Sequence, residues 1–161
     1  MASPLRLKGY NTVLDYAATN VGIGGQNSAT PLTSLTKIKF PNAKRSITNT
    51  FDIDTVGAVT GQTQVKTSQP GWIDCDKIDV TAYFTQAQYS ALLTLFNNGT
   101  EYYWLATLPL AAGQVSLGAQ LYWPGYVSEI SVDEINTDDD NLIMVPFSIK
   151  VNDVVEFASG S

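Results

Sequence analysis

A helical period of apolar residues is clear at one place in the chain. Tyr89, Leu92, Leu93 and Phe96 fall at i, i+3, i+4 and i+7, while Gln86, Ser90, Thr94 and Asn97 lie off that stripe. Thr85 is placed to cap this helix, and Gln88 three positions later would complete a capping box. Phe84 and Tyr89 are spaced for a hydrophobic staple across the cap, and Asn98-Gly99 supplies the left-handed stop. The pattern predicts one short helix over about 85–98, apolar on one side, which needs a sheet to lie on.

Elsewhere the alternation has period two. Leu35–Phe40 sets Thr36, Ile38 and Phe40 against Leu35, Lys37 and Lys39, and Thr50–Asp54 alternates again. Between them, residues 41–50 read as a basic hairpin tip or an extended loop. The polar, glycine-rich 57–70 stretch reads as a loop with a short edge strand near 63–67. Trp72–Tyr83, Glu101–Leu108 and Gln120–Val132 follow as strands, with Pro124-Gly125 as a bend in the last. Ile143, Val145, Phe147, Ile149 and Val151 give the clearest alternation, and Pro146 among them argues for an edge position or a bulge. Val154–Phe157 extends this strand. Six to eight strands and one helix predict a mainly β fold, an antiparallel β-sandwich or flattened barrel with one flanking α-helix and a long N-terminal arm. The expected organisation is an arm at 1–33, a β domain at 34–157 and a flexible tail at 158–161.

Composition narrows the function. Of 161 residues only 15% are charged, below the roughly 25% of an average domain, and Thr, Ser, Asn, Gln and Gly fill the difference. Histidine is absent, which removes the commonest general base, the commonest metal ligand and the usual triads together. The chain therefore does not read as an enzyme, and no cofactor or metal is expected. The single Cys75 lies in a strand-like stretch and reads as a structural thiol. No apolar run approaches a membrane span, and MASPLRLKGYN lacks the core of a secretory signal, so assembly in a cytoplasm is expected. Charge is uneven. The chain before Ile47 holds six basic residues and one acidic one, whereas the remainder holds three basic and fourteen acidic. That split is either a basic arm on an acidic globule or a basic end that meets the acidic body of another copy.

Candidate chemistry is sparse. Asp138-Asp139-Asp140 lacks the alternating ligands, glycine and closing glutamate of a calcium loop and reads as a solvated turn. Asp74, Asp76 and Asp79 alternate with apolar neighbours as strand residues do. Tyr102, Tyr103, Trp104, Tyr122, Trp123 and Tyr126 suggest a stacking platform, but their strands are nearly free of Lys and Arg. Packing is the better account of most of them. Asn98-Gly99-Thr100 matches a glycosylation sequon that the helix end already explains, and GIGG at 22–25 is not a phosphate loop.

The stretches PGWIDCDKIDVTAYF, the helix ending in NNG, EYYW, PGYVSEISV and MVPFSIKVNDVVEF, in that order, resemble the major tail proteins (tail tube proteins) of long, non-contractile-tailed bacteriophages. The resemblance spans about 34–157, and the arm at 1–33 has no counterpart. It implies a structural virion protein of the phage tail, made in the host bacterial cytoplasm. Copies would form hexameric rings stacked into a hollow tube through which genome DNA passes at ejection. The implied partners are further copies of itself, a tape-measure protein, tail tip and terminator proteins, and double-stranded DNA without specific binding. Arg6, Lys8, Lys44 and Arg45 are the expected inter-ring contacts, and Asp52, Asp54, Asp79 and Asp133 the expected lumen-lining residues. A carbohydrate-binding module using Trp104, Trp123 and Tyr126 is the alternative, followed by the tube protein of a related secretion or particle system.

Overall fold

In a computed structural model, residues 12–41, 43–50, 67–111, 113–135, 137, 140 and 142–160 are described. The strands are β1 Val13–Ala17, β2 Thr30–Leu32, β3 Leu35–Lys39, β4 Lys44–Thr50, β5 Thr67–Asp74, β6 Lys77–Tyr83, β7 Tyr102–Thr107, β8 Gln120–Ile130, β9 Met144–Val151 and β10 Glu156–Ala158, with helix α1 at Gln86–Asn98. Eight strands make one antiparallel sheet in the order β2-β1-β7-β8-β9-β6-β3, with β10 beside β8, and β4 pairs β5 as a separate two-stranded ribbon.

This sheet must curl. Its ends β2 and β3 lie six strand spacings apart, about 29 Å if flat. Yet only Thr33 and Ser34 join them, a link reaching about 10 Å. Ser34 takes a left-handed φ of 61° at this turn, and its carbonyl accepts from the Tyr83 amide at 2.9 Å. The two edges approach without pairing, so the sheet wraps a core but is not a closed barrel. Inward residues from both halves share that core: Leu14, Leu32, Trp104 and Trp123 meet Ile78, Val80, Phe147 and Ile149. The mainly β architecture with one flanking helix is as the alternation predicts.

The long β8 makes the curl possible. Gln120–Gly125 pairs β7, and Gly125–Ile130 pairs β9. At the junction a Cβ on Gly125 would run into the Lys150 carbonyl, so the close approach of β8 and β9 requires glycine. The Gly125 carbonyl also accepts from the Trp104 indole at 3.1 Å.

Several features differ from the sequence reading: the strand expected at 72–83 is broken at Cys75 and Asp76, and Glu156–Ala158 pairs β8 as a separate strand rather than extending β9. Residues 13–17 and 30–32, expected within the arm, form β1 and β2 inside the sheet. β9 is central between β8 and β6 rather than an edge. Its Pro146 is tolerated because the Pro146 carbonyl points at the Ser131 amide, 3.0 Å away, just past the end of β8. The missing Pro146 N–H would point to the same side, toward the opposing Ser131 carbonyl, so what is lost is one reciprocal bond beyond the end of β8. Residues 44–50 form a strand, while the strands expected at 50–54 and near 63–67 lie largely outside the described residues.

The helix is capped and stopped as expected: the Thr85 side chain accepts from the Gln88 amide at 3.3 Å, and Gly99 sits at φ 58°. Phe84 and Tyr89 stack obliquely, 5.4 Å between centroids. The buried face is rotated from the expected stripe. Leu92 and Leu95 are buried, Tyr89 and Leu93 half-buried, and Phe96 is 38% exposed. Gln88 does not complete the capping box, because its carbonyl oxygen accepts from the amide and hydroxyl of Thr33, each at 3.0 Å. That bond ties the helix to the β2–β3 turn.

Candidate assembly surfaces

The edge pair β3–β6 continues beyond the sheet as the β4–β5 ribbon. Phe40, Pro41 and Ala43 carry the chain out, and Cys75 and Asp76 carry it back. Register pairs Lys44 with Asp74 and Arg45 with Ile73, and the ladder then shifts before Ile47, which faces Pro70. Gly71 lies close to this bulge, where a Cβ would displace the Ser46 hydroxyl and crowd its carbonyl. The Arg45 guanidinium donates to the Gly71 carbonyl at 3.1 Å. Ile47 is 68% exposed and Ile73 43%, and β4 and β5 are each other's main neighbour. Where ribbon meets sheet, Lys39, Lys44 and Lys77 face Asp74, Asp76 and Asp79 across a cleft of about 390 Å³.

The outward face of β6, β9 and the second half of β8 is polar. Asp79, Ser148 and Glu129 lie in one row across the three strands. The buried Ser148 hydroxyl donates to the Asp79 carboxylate at 2.7 Å, and Lys77 pairs with Glu129 at 2.9 Å. The hydrogen bond to Glu129 holds the Lys77 ammonium above its usual range. Lys37 and Lys39 on β3 and Lys150 on β9 extend this face, Lys150 lying 4.0 Å from Asp76.

The other half of the sheet is covered. The loop after β1 folds over it. The Gly24 amide donates to the Gln120 carbonyl oxygen at 2.7 Å, the Gln120 amide nitrogen donates to Gln26 at 3.0 Å, and the Tyr122 hydroxyl donates to Asn20 at 2.5 Å. Gln120 is thereby 1% exposed with its polar ends satisfied. The glycines of GIGG serve this loop, with Gly22 and Gly24 at φ 64° and 87°.

Of the expected site residues, Arg6, Lys8, Asp52 and Asp54 lie outside the described residues. Lys44 and Arg45 are exposed on the ribbon. Asp79 is on the outward sheet face, whereas Asp133 is at the opposite end of β9, its carboxylate accepting from the Glu134 amide. Asp79 and Asp133 are therefore not brought together. Lys77, Glu129 and Ser148 were missed, although Ser148 already stood on the polar side of the β9 alternation. Trp104 and Trp123 are fully buried, and Tyr122 is 5% exposed. These three are core and give no stacking surface to a sugar, while Tyr102 packs against the core and Tyr103 and Tyr126 are half-buried. Asp138 and Asp139 lie outside the described residues, and among those described no group of three or more metal-ligating side chains gathers. No described helix is long and apolar enough to cross a membrane.

No protein-family model and no curated protein matches the sequence. Solved structures do. The cap that terminates the anti-feeding prophage tube aligns at TM-score 0.71 and 10% identity, over 99% of this chain and 95% of that one. The SPP1 tail tube aligns at 0.59 and 13%, over 97% and 80%. The tail of an empty GTA particle, refined helically with C6 symmetry, aligns at 0.59 and 9%, over 96% and 100%. At such identities the likeness is one of fold. This chain has the fold of tail-tube and tube-cap proteins.

Proposed function

We propose that this chain is a structural, non-enzymatic subunit of a tail tube, assembling as rings stacked into a hollow cylinder. The observation that carries the reading is the end-to-end agreement of fold with a tube cap and with tail tubes. Six copies per ring is the number favoured by the C6 symmetry of the particle tail. The sheet supports it physically: among the described residues β2 and β3 end the sheet as open edges, which ring closure against neighbours would protect. The net charge of −6 suits a conduit that DNA passes without sticking, since a wall that bound phosphates would hold its cargo. In this reading Asp52, Asp54, Asp79 and Asp133 are candidates to face the bore. A tape-measure protein and tip and terminator proteins are the further partners, and the product is the virion tail, built in the host bacterial cytoplasm.

Arg6, Lys8, Lys44 and Arg45 are proposed to reach neighbouring rings. Replacing Lys44 and Arg45 together by Glu is expected to shorten or abolish tubes, seen by electron microscopy, while far-UV circular dichroism of the monomer is unchanged. Tubes of normal length from that variant would remove these two residues from the contact.

A further inference from the structure

We infer that the 18–29 loop is a latch over Asp15, released when Asp15 ionises, and that its release loosens the β2 edge of the sheet. The first ground is placement. One register row runs Pro31, Asp15, Leu105, Tyr122 and Glu156 across β2, β1, β7, β8 and β10. The next row holds Val13, Thr107, Gln120 and Ala158. The loop is rooted between Ala17 of β1 and Thr30 of β2, yet its anchors are on β8: Asn20 meets Tyr122, and Gly24 and Gln26 meet Gln120. To reach them it crosses two strand spacings, about 10 Å, over the outer side of β1 and β7. Asp15 and Leu105 lie beneath that crossing, both buried.

The second ground is charge. Asp15 is the one charged residue from 9 to 36, and none occurs from 102 to 128. The loop above Asp15, β2, β7 and the part of β8 beside β7 therefore bring it no cation. The titratable groups on its face are Tyr103 and Tyr122, stacked 6.2 Å apart, with Glu101 and Glu156 acting on Tyr122. All of these are neutral or negative. Burial holds the Asp15 carboxyl above its ordinary value, so its ionised form favours a state that lets water in. The loop is the element suited to open. It is fastened to β8 through the side chains of Gln120 and Tyr122, and its short turn Gly25–Ser28 buries no residue. β2 follows the loop directly, pairs β1 and, among the described residues, ends the sheet. Opening the loop leaves that strand held by β1 alone. The inference rests on the tube reading for its purpose: the edge that ring closure would cover becomes free to adjust where Asp15 is ionised.

The test is hydrogen–deuterium exchange of the unassembled full chain, comparing wild type with Asp15→Asn, a side chain of the same shape without the charge. At pH 7 the amides of 18–32 are expected to exchange about ten-fold faster, or more, in wild type, while those of β6 and β9 exchange alike in both chains. At pH 4 the two chains should match across 18–32. Equal exchange at pH 7, or a difference undiminished at pH 4, would overturn the latch. Wild type alone decides the matter if Asp15→Asn does not fold. Protection of 18–32 relative to β6, corrected for the intrinsic rate at each pH, is then expected to fall about ten-fold or more from pH 4 to pH 7. Constant relative protection would overturn the latch. Tubes in micrographs without any exchange difference would remove the latch and keep the tube reading. The exchange difference without tubes or rings at either pH would keep the latch and remove the tube reading instead.

Discussion

Among the described residues Asp15 is the one acidic side chain held almost wholly inside, 4% exposed on β1 between Pro31 of β2 and Leu105 of β7. Burial penalises its charged form and pushes its carboxyl above the ordinary 3.8. The folded state therefore holds the proton more tightly than the unfolded chain does. The favourable contribution is complete below about pH 3.8 and is lost as pH rises through the raised value. Asp15→Asn should thus melt higher than wild type at pH 7, with the gap closing as pH falls below about 4. A gap that persists unchanged at pH 3 would show that ionisation is not the cause. Gly125 makes a steric prediction at the same scale. A methyl there meets the Lys150 carbonyl and the Ile149 side chain, so Gly125→Ala should cost about 1–3 kcal/mol in denaturant unfolding.

At the scale of the element, the helix separates two readings of one stripe. Leu95→Ala should cost about 2–5 kcal/mol because Leu95 is buried against the sheet, while Phe96→Ala should cost about 1 kcal/mol or less. The reverse order would restore the face that simple periodicity favours. That face was misjudged because a 13-residue helix offers two nearly equivalent stripes, and the choice rests on what its ends are tied to. Here Gln88, bonded to Thr33, sets the rotation, and no spacing rule announces a partner 55 positions away. The strands at β6 and β9 were legible because their period-two alternation largely records burial, whereas β7 and β8 were legible as aromatic-rich runs bounded or bent by proline. β1 was not, since Leu14, Asp15 and Ala17 are all buried: the loop that covers Gln120 and Tyr122 hides one face and the core hides the other. Pro146 misled for a related reason, as the end of the neighbouring strand, not the edge of the sheet, excuses its missing donor. Of the candidate site, the exposed cations of the ribbon could be read locally. The Lys77–Glu129 and Asp79–Ser148 contacts depend on cross-strand register and could not.

For the whole molecule, the features that matter lie at its two poles. A ribbon stands off the sheet at the Lys77 end of β6, and the acidic pair Asp133 and Glu134 lies at the other end of the β6–β9 pair. Most of the chain between them is spent on a curled sheet that keeps these poles apart and aligned. Ion pairing between copies is screened within about 3 Å in 1 M salt, against about 10 Å at 0.1 M, so assembly driven partly by charge should weaken as salt rises. Shortened assemblies are expected as salt rises. The most direct measurement is electron microscopy of the purified protein at high concentration, across low and high salt. Hollow tubes or six-fold rings, longest in low salt, are the predicted result, and strictly monomeric particles at every concentration and salt would contradict the account.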